Sequence, residues 1–456
     1  MKMQPKIAEE MTLFSSVIKW TFYASIVGVL VGGGTTVFLF SLSWASRQTA
    51  RYPRYYLFLP MIILASSALV RWLAPDAAGH GTEKVIEAVH KRMGKIPLAV
   101  VPVKLVATVI TIAGGGSAGK EGPCAQIGAG LASIFADLMR VDDTDRRKLV
   151  ICGISAGFST VFGTPIAGAI FGVEVLVLGQ LFSDVLFPSV VAGIVGYHIA
   201  LALGVQYTLT AAFQVPAMTG WVFINVVVLG LFCGLIALFL IETMKFSHKA
   251  FERLGWHWTF RAMLGGGLVA AIGGLVSSDY LGLGVATIES GFRGEIIPAG
   301  ALFWKSLATS ITLGSGGSGG VVTPIFFVGT ATGNMFAQLT NEPNIAAFSA
   351  IGMVALLAGA ANTPIAASIM AMELFGPKTA SVAGIACMVS FLMVGYRSIY
   401  PSQVLGAQKS RSLTAPTGNA IGELNCPTVS LRDKSLLGME RRVVRFLRKK
   451  CKKNKG

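Results

Sequence analysis

Two stretches of this chain, one in each half, read as copies of one another. Thr111-Ile-Ala-Gly-Gly-Gly-Ser-Ala-Gly-Lys-Glu-Gly-Pro123 parallels Thr312-Leu-Gly-Ser-Gly-Gly-Ser-Gly-Gly-Val-Val-Thr-Pro324. Ser117 matches Ser318, Gly119 matches Gly320 and Phe135-Ala136 matches Phe336-Ala337, all at an offset of 201. Thr164-Pro165-Ile166-Ala167 and Glu174 recur as Thr363-Pro364-Ile365-Ala366 and Glu373 at an offset of 199, so a two-residue indel separates the copies. A duplication constrains a fold more than any single motif does, because both copies must adopt the same local structure. In an apolar chain, paired glycine-interrupted segments point to a transporter whose binding site lies at the repeat interface, near the middle of the membrane.

The composition fits a lipid solvent. Hydrophobic residues make up 53% of the chain, charged residues 13%, and mean hydropathy is +0.66, which leaves too little polar surface to cover a soluble globule. Apolar segments lie near 12–47, 55–74, 97–114, 149–180, 183–213, 219–242, 262–277, 300–313, 345–361 and 378–395. Several exceed the roughly 20 residues that cross a bilayer and others fall short. The long ones must tilt or break and the short ones must stop midway, with each break buried in protein or facing a water-filled cavity. The expected class is an all-α polytopic membrane protein with broken and re-entrant helices.

Cys124, Cys152, Cys233, Cys387, Cys426 and Cys451 are scattered and make neither a disulfide framework nor a zinc pattern. Net charge is +16, and from Gly406 onward there are 13 Lys plus Arg against 3 Asp plus Glu. Arg441 to Lys455 alone carries nine cations and no acid. This reads as a cytoplasmic tail that follows the positive-inside tendency and lies on anionic lipid. No aromatic platform or folded basic module accompanies it, so nucleic acid is not an expected partner.

Pro123, Pro165, Pro324, Pro364 and Pro401 each follow a small or polar residue and precede an apolar run, the setting of proline at a helix start. Five helices are therefore expected to begin there. Free amides and the helix dipole at the mouths of Gly119-Lys120-Glu121-Gly122-Pro123 and Gly320-Val321-Val322-Thr323-Pro324 make sites for an anion, with glycines letting the backbone approach it. Glu121 is a carboxylate placed at such an amide-rich start within apolar sequence. Ionised, it would occupy the cradle meant for the anion; protonated, it would leave it, which makes Glu121 a gate. The bland reading is a simple helix cap.

Two enzyme-like patterns are weaker. Gly114 to Lys120 follows the phosphate-binding P-loop up to its last position, where Glu121 replaces the magnesium-holding Ser or Thr and Val321 replaces Lys120 in the other copy. His80, Glu83, Glu87 and His90 share one helical face, but a di-iron bundle needs a second Glu-x-x-His step that the chain lacks. A metal- or nucleotide-dependent membrane enzyme is thus a remote alternative, and no cofactor is expected.

Gly119 to Pro123, Gly320 to Pro324, the Pro165 to Glu174 segment and Gly395-Tyr396-Arg397-Ser398-Ile399-Tyr400-Pro401-Ser402 resemble the signature motifs of CLC chloride channels and proton-coupled chloride exchangers. The resemblance covers residues 17–410. It implies two inverted halves around a mid-membrane anion site, one pore per subunit and a homodimer. It puts the gating glutamate on Glu121, and the central anion on amides of Val321 and Val322 and the hydroxyl of Tyr400, beside Gly119 and Gly122. The organisation expected is a 1–16 N-terminal segment, a 17–405 membrane domain with halves 17–215 and 216–405, and a 406–456 tail too short for paired nucleotide-binding modules. Tailless members are typical of prokaryotes, which places the chain in the cell membrane as a multi-pass protein.

Two departures bear on function. His80 stands where the family's anion-binding serine does; an imidazole N–H can still donate to an anion, and a protonated ring would attract it and respond to pH. The other reading is a histidine bonded to a nearby carbonyl. Val175 stands where many exchangers carry an inward-facing glutamate, and valine cannot relay a proton. A passive chloride channel gated by Glu121 protonation is therefore the first expectation, and a proton-coupled exchanger of chloride, another halide or nitrate the alternative. Glu174 and Glu373 are expected to serve buried contacts between helices or subunits.

Overall fold

The structure is a computed structural model that describes residues 5–207, 213–410, 413–424 and 428–429. Sixteen α-helices run through these residues, eight in each half. The first half holds α1 (Pro5–Thr49), α2 (Leu59–Leu73), α3 (Thr82–Lys91), α4 (Val100–Ala113), α5 (Glu121–Leu138), α6 (Asp143–Phe162), α7 (Pro165–Glu174) and α8 (Ser183–Ala202). The second holds α9 (Gly220–Arg253), α10 (Trp258–Leu275), α11 (Val285–Phe292), α12 (Gly300–Gly314), α13 (Val322–Leu339), α14 (Ile345–Ala361), α15 (Pro364–Phe375) and α16 (Thr379–Val394). Each helix of one half has its counterpart in the other.

Five helices, those within Glu9–Thr49, Tyr55–Leu73, Ser183–Ala202, Gly220–Arg253 and Trp258–Leu275, are long and apolar enough to cross a membrane. The 14 residues of α4 rise only about 21 Å, and α7 is shorter still, so these elements end inside the bilayer. The long apolar run at 149–180 breaks where Gly163 takes a left-handed φ of 74° and Pro165 opens α7. The expected helix starts at Pro165 and Pro364 hold, and α5 and α13 begin two residues ahead of Pro123 and Pro324.

Among the described residues no α-helix follows Pro401. The backbone after it is claimed by another partner: Val404–Leu405 (β2) runs parallel to Val177–Leu178 (β1), and the Gly406 amide donates to the Leu178 carbonyl at 2.9 Å. A ladder in which both strands have extended φ/ψ cannot coexist with a helix over the same residues. A second short pair, Leu413–Thr414 (β3) with Val429–Thr428 (β4), lies further along. Lys409 is tied in as well, its Nζ donating to Asn362 Oδ1 at 2.7 Å. Cys426, Cys451 and the basic Arg441 to Lys455 stretch lie outside the described residues.

Close helix packing comes from small residues, as lipid gives no hydrophobic force between helices. Gly128 on α5 and Gly153 on α6 face each other's carbonyl oxygens, where an added Cβ would lie 2.3 and 2.5 Å away. Their repeat counterparts Gly329 on α13 and Gly352 on α14 do the same at 2.7 and 2.5 Å. The halves also share a symmetric hydroxyl lattice: Ser117 N–H donates to Thr312 Oγ1 and Ser318 N–H to Thr111 Oγ1, both at 3.1 Å.

Candidate anion site

The two copied motifs meet. Gly119 and Gly320 form an isolated antiparallel bridge, each amide donating to the other's carbonyl at 2.7 Å. Antiparallel pairing of equivalent residues is what two oppositely directed halves produce. It brings the N-terminus of α5 against that of α13, so two sets of free amides and two positive dipole ends converge.

Glu121 reaches across this junction and is buried to 1% exposure. Its Oε2 accepts the Thr323 amide at 3.0 Å and its Oε1 accepts the Thr323 hydroxyl at 2.5 Å. The carboxylate therefore occupies the cradle at the start of α13, rather than capping its own helix. Thr323 escaped the sequence reading, although the repeat held a signal: it is the counterpart of Gly122, and the second copy carries a hydroxyl where the first carries nothing. Val321 and Val322 are fully enclosed at the same helix start. Gly119 allows the crossing, because a Cβ there would lie 2.7 Å from Glu121 Oε2 and 3.0 Å from the Thr323 nitrogen.

His80 joins from the loop before α3. Its carbonyl lies 2.1 Å from where a Cβ on Gly122 would be, so Gly122 is required for that loop to pack on α5. His80 Nδ1 is buried and has no hydrogen-bond partner, which removes the carbonyl-bonded alternative for that nitrogen. Tyr400 is completely buried and its Oη is likewise unpartnered; Thr82 Oγ1 lies beside it, yet neither hydroxyl has a partner in bonding geometry. Buried polar atoms are ordinarily satisfied, so these unpartnered groups stand out.

A pair of fully buried lysines fixes the loops. Lys104 Nζ donates to the carbonyls of Ala77 and Gly79 at 3.0 and 2.7 Å, holding the turn that carries His80. Lys305, its counterpart at the 201 offset, donates to those of Tyr280 and Gly282 at 3.2 and 2.8 Å. Neither had been singled out from sequence. Lys120, by contrast, lines a cavity of about 730 Å³ with Arg47, Phe162, Tyr207 and Leu283, next to the first motif.

Glu174 and Glu373 are reciprocal helix caps. Glu174 accepts the Ile365 and Ala366 amides at the start of α15 at 3.0 and 2.8 Å, and Glu373 accepts the Ile166 and Ala167 amides at the start of α7 at the same distances. Each carboxylate neutralises the dipole of the other half's helix. The residues of the metal pattern go separate ways: Glu83 bonds to Ser402, Glu87 to Lys84, and His90 Nδ1 pairs with the Ile86 carbonyl.

Two sets of broken helices meeting at a buried carboxylate define a polytopic membrane protein, and the chain belongs to the voltage-gated chloride channel family, which residues 61–395 match. It is similar to the chloride/fluoride channel protein of Pseudomonas syringae pv. tomato (strain ATCC BAA-871 / DC3000), 38% identical over 409 residues that cover 88% of this chain and 90% of that one. It also resembles the solved structure of a CLC-type fluoride/proton antiporter, with a TM-score of 0.81 and 28% identity over 85% of this chain and 98% of the other. A slow cyanobacterial Cl⁻/H⁺ antiporter shares the fold, at a TM-score of 0.70 and 20% identity over 83% and 94% of the two chains.

Proposed function

We propose that this protein exchanges a small halide for protons, with fluoride as the preferred anion, through the junction of α5 and α13. The observation that carries the reading is the position of Glu121: its carboxylate fills an amide cradle that a diffusing anion needs, so protonation and anion entry compete for one place. Acid weakens the carboxylate's hold on Thr323 and frees the cradle; deprotonation returns it. Fluoride is a compact, strongly hydrated anion, and the donors grouped here (Thr323, Tyr400 and Thr82 hydroxyls, the His80 ring and free amides) are what replaces a hydration shell. The similarity to a fluoride/proton antiporter and to a chloride/fluoride channel protein supports the same choice. The functional unit in this reading is a homodimer in the cell membrane, with the basic tail on the cytoplasmic side.

The sequence reading put a passive channel first because of Val175. That side chain is fully buried and apolar, which keeps the channel as the second reading, but the similarity to a fluoride/proton antiporter favours exchange. Purified protein in liposomes, followed with fluoride and pH electrodes together, decides between them. An outward fluoride gradient is expected to drive protons inward and to alkalinise the medium; fluoride efflux with no proton movement would return the channel reading.

His80 contributes to selectivity in this scheme. Replacing it in His80→Ser swaps an imidazole donor for a hydroxyl and is expected to change the order of transport among chloride, nitrate and fluoride, measured in the same liposomes. An unchanged order would take the His80 ring out of the anion path.

A further inference from the structure

We propose that Asn362 is a positioning residue for the anion site: it staples both ends of the loop that carries Tyr400 and so sets where the Tyr400 hydroxyl meets the anion. The inference rests on the reading above, in which that hydroxyl is one of the anion's donors. Residues 395–403 form neither helix nor strand, so the buried polar groups of this loop need partners from elsewhere. Asn362, buried where α14 ends, supplies two of the contacts. Its Nδ2 donates to the Arg397 carbonyl at 2.9 Å and to Gln403 Oε1 at 3.0 Å. One side chain thus grips the loop three residues before Tyr400 and three residues after it. Tyr400 Oη makes no hydrogen bond of its own, so the hydroxyl is placed by the packing of its ring and by the backbone on either side.

Surrounding groups fix which way the two amides point. Asn362 Oδ1 accepts from Lys409 Nζ at 2.7 Å. An ammonium only donates and a carbonyl only accepts, so a single orientation of the Asn362 amide satisfies Lys409, Arg397 and Gln403 together. Gln403 is fully buried, and its Nε2 donates to the Val175 and Ala361 carbonyls at 3.1 and 3.2 Å, which leaves its Oε1 for Asn362. The Ile399 amide adds a bond to the Ala360 carbonyl at 2.9 Å. The loop is therefore moored to the end of α14 through Ala360, Ala361 and Asn362, and to the end of α7 through Val175.

The duplication separates this role from a purely local one. At the offset of 199 the counterpart of Asn362 is Gly163. Both residues are left-handed, with φ of 57° and 74°, and both end a helix just before a Thr-Pro start. That conformation favours glycine, with asparagine the side chain that tolerates it routinely. In the first half no side chain fits, because a Cβ on Gly163 would lie 2.6 Å from the Tyr207 ring. Glycine would meet the backbone's demand in the second half as well. The asparagine there answers a different demand: its donor nitrogen serves the Tyr400 loop twice, and its oxygen is held by Lys409.

The test is the half-saturating fluoride concentration for flux into liposomes, measured for the parent, Asn362→Gly, Tyr400→Phe and the double variant. Glycine keeps the left-handed backbone, as Gly163 does, and removes the staple. Tyr400→Phe is expected to raise the half-saturating concentration roughly tenfold or more, as for loss of a hydrogen bond to a charged group, and Asn362→Gly to raise it roughly three- to tenfold. In the double variant the glycine is expected to add less than about twofold, because a phenyl ring has no donor to misplace. The inference is overturned if Asn362→Gly keeps the parent's half-saturating concentration, or if the two single effects multiply in the double variant, which a general structural role would produce. Asn362→Asp keeps an oxygen for Lys409 but cannot donate to Arg397 or Gln403, and it is read by the same outcomes if the glycine variant does not assemble. A Tyr400→Phe variant with the parent's half-saturating concentration defeats the donor role of Tyr400 and the inference with it, so the two failures are distinguishable.

Discussion

Glu121→Gln is expected to stop proton movement altogether and to make anion flux indifferent to acid. The carboxylate is held by two bonds from Thr323, at 3.0 and 2.5 Å, at the positive end of α13. Hydrogen bonds to a charged group are worth about 1.5–3 kcal/mol each. A neutral amide of the same size keeps at most one of them with its oxygen and cannot respond to the dipole as a charge. Losing one such bond shifts occupancy of the cradle roughly ten- to hundred-fold towards the open state. The parent reaches that state only on protonation, so its flux rises as pH falls. In the variant the side chain has no protonation equilibrium, and the pH profile flattens. Fluoride efflux from liposomes measured across the acid to neutral range checks this. A variant that retained the parent's pH profile would show that the Glu121 carboxylate does not control the cradle.

What the sequence made legible is what depends on local chemistry. Glycine and proline punctuation at 111–123 and 312–324 placed two helix starts, and the fixed offset said they were equivalent, so convergence of α5 and α13 could be expected from the chain alone. The break at Gly163 was implicit in an apolar run too long to stay straight. Other features depend on which distant backbone arrives. Glu174 and Glu373 could be read as buried contacts, but each caps the helix of the opposite half, and that crossing exists only once α7 and α15 lie side by side. Thr323 had no reason to stand out until Glu121 was seen to bend across the junction to it. Pro401 misled for the same cause: its local setting is that of a helix start, and a strand partner more than two hundred residues earlier takes the backbone instead. The choice of a channel leaned on one position, Val175.

The largest structural effect is expected from Gly153→Val. Here α5 and α6 touch through their backbones, and a Cβ at Gly153 would lie 2.5 Å from the Gly128 carbonyl oxygen and 2.8 Å from Ala132 Cβ. Backbone cannot rotate aside as a side chain can, so the helices must separate along the contact. Overpacking of a close-packed interior costs about 1–3 kcal/mol where neighbours can shift, and a backbone-to-backbone clash lies at or beyond the upper end. The start of α5 carries Glu121 and the cradle bridge, so parting of α5 from α6 also misaligns Gly119 against Gly320. Gly33→Val on α1 is the matched control, because nothing lies within 4 Å of a Cβ added there, and valine is a better helix residue than glycine. Size-exclusion profiles and thermal unfolding in detergent are expected to show loss of monodisperse protein for Gly153→Val and a parent-like profile for Gly33→Val. Equal stability of the two variants would mean that α5 and α6 are not held at backbone contact, and that the convergence of helix starts at the anion site does not depend on that packing.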